Sequence, residues 1–245
     1  MARANVAKTL LKKQHPSFRS VNRRGDKSLF SMKSGLLALS RLGISRPCKS
    51  LFTMMIIFMF GAGLSATQAQ ASKYASIVIE EATGKVLFSR NADNLRYPAS
   101  LTKIMTLYLL FEDIEARRMT LRSRIPVSKT AAGRSPSKLY LKPGQSISVE
   151  QAIYALVTKS ANDVATALAE KLSGTERKFA KRMTRKAKAL GMRRTVFMNA
   201  SGLPNRRQKS TARDMAVLAV AIRRDFPQFY KYFSTQSFNW KGRKY

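Results

Sequence analysis

Residues 98–110 read PASLTKIMTLYLL, an apolar run with the pattern of a helix that begins just after Pro98. Ser100 and Lys103 stand three residues apart in this run. On a helix they share one face, where a hydroxyl and an amine can exchange a proton. The run therefore predicts a helix reaching about Ala116 and a serine nucleophile with a lysine base. The alternative for these four residues alone is an ordinary helix start, with Ser100 as the cap and Lys103 solvated.

Lysine acts as a base only when it is uncharged. Its ordinary pKa of about 10.4 must fall by about two or three units for a useful neutral fraction near pH 7. The apolar neighbours Leu101, Ile104 and Leu107 favour desolvation of Lys103, and the basic domain adds like charge. We therefore expect a lowered pKa for Lys103, with a protonated, ion-paired lysine as the alternative.

Histidine and cysteine are too scarce here for several other chemistries. The one histidine is His15, in a basic N-terminal stretch, and the one cysteine is Cys48. This excludes a Ser-His-Asp or Cys-His mechanism in the folded part, an intramolecular disulfide and a metal centre built from Cys and His. We predict no cofactor and no metal site. A nucleophilic enzyme of this composition draws its base from lysine, tyrosine or a carboxylate.

The chain divides into three predicted segments. Residues 1–50 form a basic extension, in which Met32 is an alternative start. Residues 51–71 hold an uncharged run, LFTMMIIFMFGAGL, and end in the cleavage pattern Ala-Gln-Ala, which together predict a signal peptide and export to the periplasm. An uncleaved anchor on the inner membrane is the alternative, although the run is shorter than the roughly twenty residues that a bilayer needs. Residues 72–245 are the predicted catalytic domain.

The formal net charge is +33, and about +22 of it falls after residue 71. Such a field attracts polyanions. Export disfavours nucleic acid and favours an anionic envelope polymer or lipid surface as the partner, and a merely solubilising surface is the alternative. Much of the charge falls in residues 177–194, where it predicts the solvent face of one helix.

The order of predicted elements indicates an α+β fold. Residues 74–80 and 85–89 have the pattern of a β-hairpin. A helical middle follows, with a capping box at residues 148–151 and a cap at Thr211. The aromatic stretch 229–240 returns to a strand pattern and predicts the edge of a sheet.

A second polar segment, Ser160-Ala161-Asn162, follows about sixty residues after Ser100. On one helix Ser160 and Asn162 would diverge by about 200°. In an extended loop between two helices both can face a cleft, where Ser160 could relay a proton to a leaving amine and the Asn162 amide could hold a substrate amide. The alternative is that Asn162 caps the next helix.

Three segments carry a family resemblance: YPASLTK at 97–103, KSANDVA at 159–165 and NASGLP at 199–204. They resemble the serine D-alanyl-D-alanine carboxypeptidases, the low-molecular-mass penicillin-binding proteins, for which Ser-x-x-Lys is a known motif. The similarity covers about residues 74–245. It implies a fold like that of β-lactamases and transpeptidases, with a helical cluster beside an antiparallel sheet. It also implies a periplasmic enzyme that removes the terminal D-alanine from peptidoglycan stem peptides through an acyl-serine, and that β-lactams acylate.

By this resemblance Ser100 is the acylated nucleophile, Lys103 accepts its proton, Ser160 completes the catalytic set and Asn162 binds substrate. One departure stands against it: no Lys-Thr-Gly follows Trp240, and Lys241-Gly242-Arg243 is not a substitute. We therefore expect an early-terminated copy or fragment with an incomplete sheet and uncertain activity. The alternatives are a non-catalytic basic envelope-binding protein with the same fold, a β-lactamase and a nucleic-acid-binding protein.

Overall fold

A computed structural model of the protein describes residues 74–245. The predicted N-terminal extension and signal segment, with His15 and Cys48, lie outside the described residues. Within them the apolar run forms helix α1, Thr102–Glu115, which a 3-10 turn at Ala99–Leu101 precedes. Every side chain from Met105 to Phe111 is buried. A helix buried on all sides is the centre of the fold, and the helix predicted from this run is confirmed.

Four of the five other α-helices of residues 74–245 begin at a side-chain cap. Ser148 and Gln151 form the predicted capping box, and Thr175 and Thr211 cap later helices through their hydroxyls. The helices in chain order are α2 Lys129–Ala132, α3 Val149–Tyr154, α4 Asn162–Ser173, α5 Glu176–Ala189 and α6 Ala212–Asp225. Helices α4, α5 and α6 all pack against α1.

The strands of residues 74–245 form antiparallel pairs, so the α+β class is confirmed. They are β1 Ser76–Ile79 with β2 Val86–Arg90, β3 Arg124–Pro126 with β4 Ser146–Ser148, and β5 Asn239–Trp240 with β6 Arg243–Lys244. The first pair is the predicted hairpin. The pairing of β3 with β4 lies within the predicted helical middle, where the sequence analysis gave no strand, and it pairs the buried residues Ile125 and Ile147.

The prediction of strand at residues 229–234 is wrong. Pro227–Ser234 is a 3-10 helix with Pro227 in its first turn, and strand structure returns only at Asn239–Trp240. Aromatic residues spaced by three fall on one face of a 3-10 helix, which buries Phe229 and Tyr232. The ring of Phe229 stacks on that of Phe111 in α1, with centroids 4.7 Å apart.

The surface of the described domain has two notable features. Every residue of β2 is exposed, including Leu87 and Phe88. Within residues 74–245 none of the helices combines the length and apolar content that a bilayer-crossing segment needs.

We predict that Phe111→Ala lowers the free energy of unfolding by about 3–5 kcal/mol, because a fully buried ring is removed from between α1 and the 3-10 helix. Urea denaturation measures this. Phe88→Ala, which truncates an exposed ring, is the control and should change stability by less than about 0.5 kcal/mol. Similar losses in both variants would contradict the packing described here.

Candidate active site

Ser100 lies in the 3-10 turn that leads into α1, and its side chain is exposed. The residue at the N-cap position of α1 is Leu101, and no side chain caps the helix. The alternative that Ser100 is an ordinary helix cap is therefore wrong. The residue before it, Ala99, has a φ of 46°, in the left-handed region. Ser100 is thus a surface residue of this turn and does not cap the helix.

Lys103 is buried, with only 4% of its surface exposed. Its Nζ donates a hydrogen bond to the backbone carbonyl of Ser201 at 2.6 Å. Burial lowers the pKa of Lys103 to about 8, because the charged form loses its hydration. The solvated alternative for Lys103 is thus wrong, and within residues 74–245 its amine takes part in no ion pair. With a pKa of about 8, most of these amines are protonated at pH 7. The cause of the pKa shift is burial, and the like charge that we expected to contribute is not among the causes.

Ser100 and Lys103 lie one turn apart at the start of the same helical segment. Among the hydrogen bonds of residues 74–245 none joins the two side chains. The Lys103 amine instead donates to the Ser201 carbonyl. Proton exchange between them therefore stays a prediction. The amine is buried and donates to the Ser201 carbonyl, and burial lowers its pKa toward the physiological range.

The loop at residues 199–202 carries the carbonyl that holds Lys103. The Asn199 side-chain oxygen accepts the backbone N–H groups of Ser201 at 3.2 Å and Gly202 at 2.7 Å. The Thr106 hydroxyl, one turn after Lys103, donates to the Ala200 carbonyl at 2.7 Å. The sequence marked this segment only through the family resemblance and gave it no role. In the structure this loop accepts hydrogen bonds from Lys103 and Thr106 of α1 and so fixes the position of the lysine.

Gly202 brings this loop into direct contact with the turn that carries Ser100. A Cβ at this position would lie 1.8 Å from the carbonyl oxygen of Ala99, and the φ of Gly202 is +89°. Both the close approach and the backbone conformation require glycine. The turn that carries Ser100 and the loop that holds Lys103 therefore pack backbone against backbone.

Glu176, in the first turn of α5, holds the same loop from the opposite side. Its Oε1 accepts from the Ala200 backbone N–H at 3.1 Å and from the Thr166 hydroxyl at 3.2 Å. Its Oε2 pairs with Arg134 at 2.5 Å. Sequence reasoning missed Glu176. The available signal was its position as the sole acidic residue in the basic helix α5.

Ser160 ends a π-helical turn, Ala155–Lys159, and has a φ of 56°. π turns of this kind are frequent at functional sites. The hydroxyl of Ser160 is buried and has no hydrogen-bond partner among the described residues. A buried hydroxyl without a partner is uncommon. Its assignment as a proton relay stays a prediction that this geometry permits.

Asn162 is the first residue of α4, and its side chain is buried. Its amide nitrogen donates to the carbonyl of Pro136, and its backbone N–H donates to the carbonyl of Ser137. No side chain caps α4, so the alternative that Asn162 is a helix cap is wrong. With its nitrogen engaged, the amide retains its oxygen for a substrate N–H, and its role in substrate binding stays a prediction.

Asp163 fixes the loop that lies against Ser160 and Asn162. Its carboxylate accepts the backbone N–H groups of Leu139 and Leu141, each at 3.1 Å. The side chain is fully buried, so these bonds satisfy its oxygens. Sequence reasoning did not predict this bridge across more than twenty residues.

The predicted site residues thus fall into two groups. Ser100 and Lys103 lie against the 199–202 loop. Ser160 and Asn162 lie beside residues 136–141, to which Asn162 is hydrogen-bonded. The helices that follow them, α1 and α4, pack against each other. In the part of the chain that the structure describes, no cluster of three or more His, Cys, Asp or Glu residues is placed to hold a metal ion.

The comparison with protein families decides what this arrangement belongs to. A family model described as D-alanyl-D-alanine carboxypeptidase matches residues 62–245. The chain belongs to the D-alanyl-D-alanine carboxypeptidase family. The family predicted from the three motif segments is confirmed.

Named members of this carboxypeptidase family are similar to the chain. It is 37% identical over 148 residues to the D-alanyl-D-alanine carboxypeptidase DacF of Bacillus subtilis, covering 60% of this chain and 38% of that one. It is 36% identical over 185 residues to DacC of Escherichia coli, covering 73% and 46%. The chain therefore spans less than half the length of these two curated relatives.

Solved structures of penicillin-binding proteins share the fold. The D-alanyl-D-alanine carboxypeptidase DacD from Francisella tularensis matches with a TM-score of 0.67 and 39% identity, over 69% of this chain and 41% of that one. Penicillin-binding protein D2 from Listeria monocytogenes, in its ampicillin-bound form, matches with a TM-score of 0.62 and 30% identity, over 69% and 70%. The transpeptidase-like fold expected from the resemblance is confirmed.

We predict that Gly202→Ala destabilises the carboxypeptidase domain far more than Gly84→Ala. Both glycines have positive φ, but a Cβ at Gly84 meets nothing within 4 Å. Gly84→Ala should cost about 1 kcal/mol, the ordinary penalty for this backbone conformation. Gly202→Ala should cost that amount and the displacement of Ala99. Urea denaturation compares them, and equal losses would contradict the contact.

We also predict a pH-dependent stability difference between wild type and Lys103→Met. Above pH 8 the folded protein has lost the Lys103 proton, which the unfolded chain keeps up to about pH 10.5. Wild-type stability should therefore rise relative to the variant by about 2–3 kcal/mol between pH 7 and pH 10.5. Urea denaturation at both pH values measures the difference. Lys129→Met, at an exposed lysine, should show no such rise, and a flat difference for Lys103→Met would argue against a buried amine.

Proposed function

We propose that the chain carries the acylation residues of an exported serine D-alanyl-D-alanine carboxypeptidase. Its substrates are peptidoglycan stem peptides that end in D-alanyl-D-alanine. The observation that carries the proposal is the buried amine of Lys103, one turn after Ser100, with a pKa of about 8. At pH 7 about a tenth of such amines are neutral, which is enough for a general base.

Ser100 is the nucleophile of the proposed reaction. A neutral Lys103 keeps one N–H on the Ser201 carbonyl and uses its lone pair to accept the Ser100 proton. The Ser100 oxygen then bonds to the carbonyl carbon of the penultimate D-alanine, and the peptide C–N bond breaks.

Release of the product requires a proton on the departing D-alanine amine. Ser160 passes on this proton, which originates at Lys103, and its unpartnered hydroxyl supports this role. Asn162 holds the substrate amide. Water then attacks the acyl-serine, gives the shortened peptide and restores the Ser100 hydroxyl.

The names of the relatives support this substrate class, since both curated relatives quoted above are named D-alanyl-D-alanine carboxypeptidases. The Listeria penicillin-binding protein D2 was solved in ampicillin-bound and cefotaxime-bound forms. We propose that β-lactams acylate Ser100 in the same way. Export to the periplasm rests on the signal pattern at residues 51–71, and an anionic envelope partner rests on the net charge of the domain.

We predict that a fluorescent penicillin labels wild type and not Ser100→Ala. Lys103→Met and Ser160→Ala should slow labelling by about 10²-fold or more, because each removes a proton-transfer group. The wild-type rate should rise with pH through a midpoint near 8, as Lys103 becomes neutral.

The controls for labelling are Ser237→Ala and Lys129→Met, which alter an exposed serine and an exposed lysine. Both should react at the wild-type rate. Labelling that survives Ser100→Ala would refute the assigned nucleophile, and a rate that does not depend on pH between 6 and 9 would refute the lysine base.

A second candidate function is a non-catalytic peptidoglycan-binding protein with the same fold. One observation favours it: the Lys103 amine bonds to Ser201 rather than to Ser100. Binding to isolated sacculi without penicillin labelling or D-alanine release would select this function over the first.

A further inference from the structure

Helix α5 has a buried apolar face, an ion-paired flank and a third face that is entirely basic. On the flank, Arg182 and Lys186 both pair with Glu112 of α1. The third face carries five exposed basic side chains, which we name the basic stripe: Arg177, Lys178, Lys181, Arg185 and Lys188.

The basic stripe runs along one face of helix α5. At 100° per residue its five positions fall within an arc of about 100°, and it is about 16 Å long at 1.5 Å per residue. Arg177, Lys181 and Arg185 follow one another at intervals of four residues, about 6 Å apart along the axis. These three charges form one row along the helix surface, and Lys178 and Lys188 lie within the same arc.

The charges of the basic stripe have no internal compensation. None of its side chains takes part in an ion pair within residues 74–245. The one acidic residue of the helix, Glu176, is bound to Ala200 and Arg134 on the inner side. Like charges four residues apart destabilise a helix. A bound polyanion would relieve this repulsion.

The surroundings of the basic stripe indicate which anion fits. The large exposed apolar side chains of the described residues all lie outside α5, so the stripe offers nothing to insert into a bilayer and no ring on which a nucleic-acid base could stack. The guanidinium groups of Arg177 and Arg185 suit phosphate oxygens, which they can bind in pairs.

We propose that the basic stripe binds a linear, base-free phosphodiester polymer of the cell envelope along the axis of α5. The choice of an envelope polymer rests on the proposed export. The arrangement of charges on the stripe is independent of export. Such binding would hold the domain at the anionic polymers that surround its substrate and leave the Ser100 turn unaltered.

The test uses a poly(glycerol phosphate) oligomer of about ten units and the triple variant Arg177→Gln, Lys181→Gln, Arg185→Gln. Glutamine keeps the helix propensity of these positions. The dissociation constant should rise at least about tenfold, and the slope of its logarithm against log salt should shrink by about two, since three phosphate contacts are lost. The matched control, Arg122→Gln, Lys129→Gln, Lys142→Gln, removes equal charge from exposed positions outside α5 and should bind within about twofold of wild type.

Equal weakening in both triple variants would overturn the proposal, because net charge alone would then explain binding. Tighter binding of wild type to single-stranded DNA of equal charge, or to anionic phospholipid vesicles, would also overturn it. Thermal unfolding at low salt checks that the stripe variant is folded, and it should melt no lower than wild type because like-charge pairs are gone. Penicillin labelling of the same variants should be unchanged, so a failure of labelling in wild type would refute the proposed function without bearing on the stripe.

Discussion

The hydrogen bond from the Lys103 amine to the Ser201 carbonyl is the interaction on which the candidate site depends. Burying a lysine is unfavourable while it is charged, and the central position of α1 imposes that burial. The amine therefore moves toward neutrality, and a single carbonyl fixes its direction. That carbonyl lies almost a hundred residues further along the chain, in a loop whose other peptide groups are held by Asn199, Thr106 and Glu176. The lowered pKa of Lys103 thus depends on how the whole helical cluster packs around it.

Local features of the sequence predicted local features of the structure. The buried run of α1, the capping box at Ser148 and the three-residue spacing of Ser100 and Lys103 all act within one or two helical turns. The aromatic stretch after Pro227 was misread as a strand, because aromatic residues are typical of strands and the ring that buries Phe229, Phe111, is distant in sequence. Glu176 and Asp163 escaped for the same reason, since each bonds to backbone groups distant in sequence. The resemblance drew attention to residues 199–204, but only the contact with Ala99 explains why a glycine occurs there.

The large positive charge divides into two kinds of side chain. Arg182 and Lys186 form ion pairs with Glu112 of the central helix. Other basic residues of the same helix face solvent without an ion-pair partner among residues 74–245. Residues that share a helix and a charge therefore differ in what their removal would change. The chain spans less than half of the family members quoted above. In this chain the ion-paired basic residues stabilise the domain, and the solvent-facing ones are available to bind a partner.

Two residues that carry side chains adopt the left-handed backbone conformation at the candidate site: Ala99, just before Ser100, and Ser160 itself. Each stores strain of about 1 kcal/mol that a glycine would release. Selection for thermal endurance alone would favour glycine at both places. At Ser160 that exchange removes the hydroxyl, and at Ala99 it loosens the turn that aims Ser100. Thermal stability and the proposed chemistry therefore favour different residues at these two positions. Selecting variants by melting temperature alone would tend to remove the candidate site.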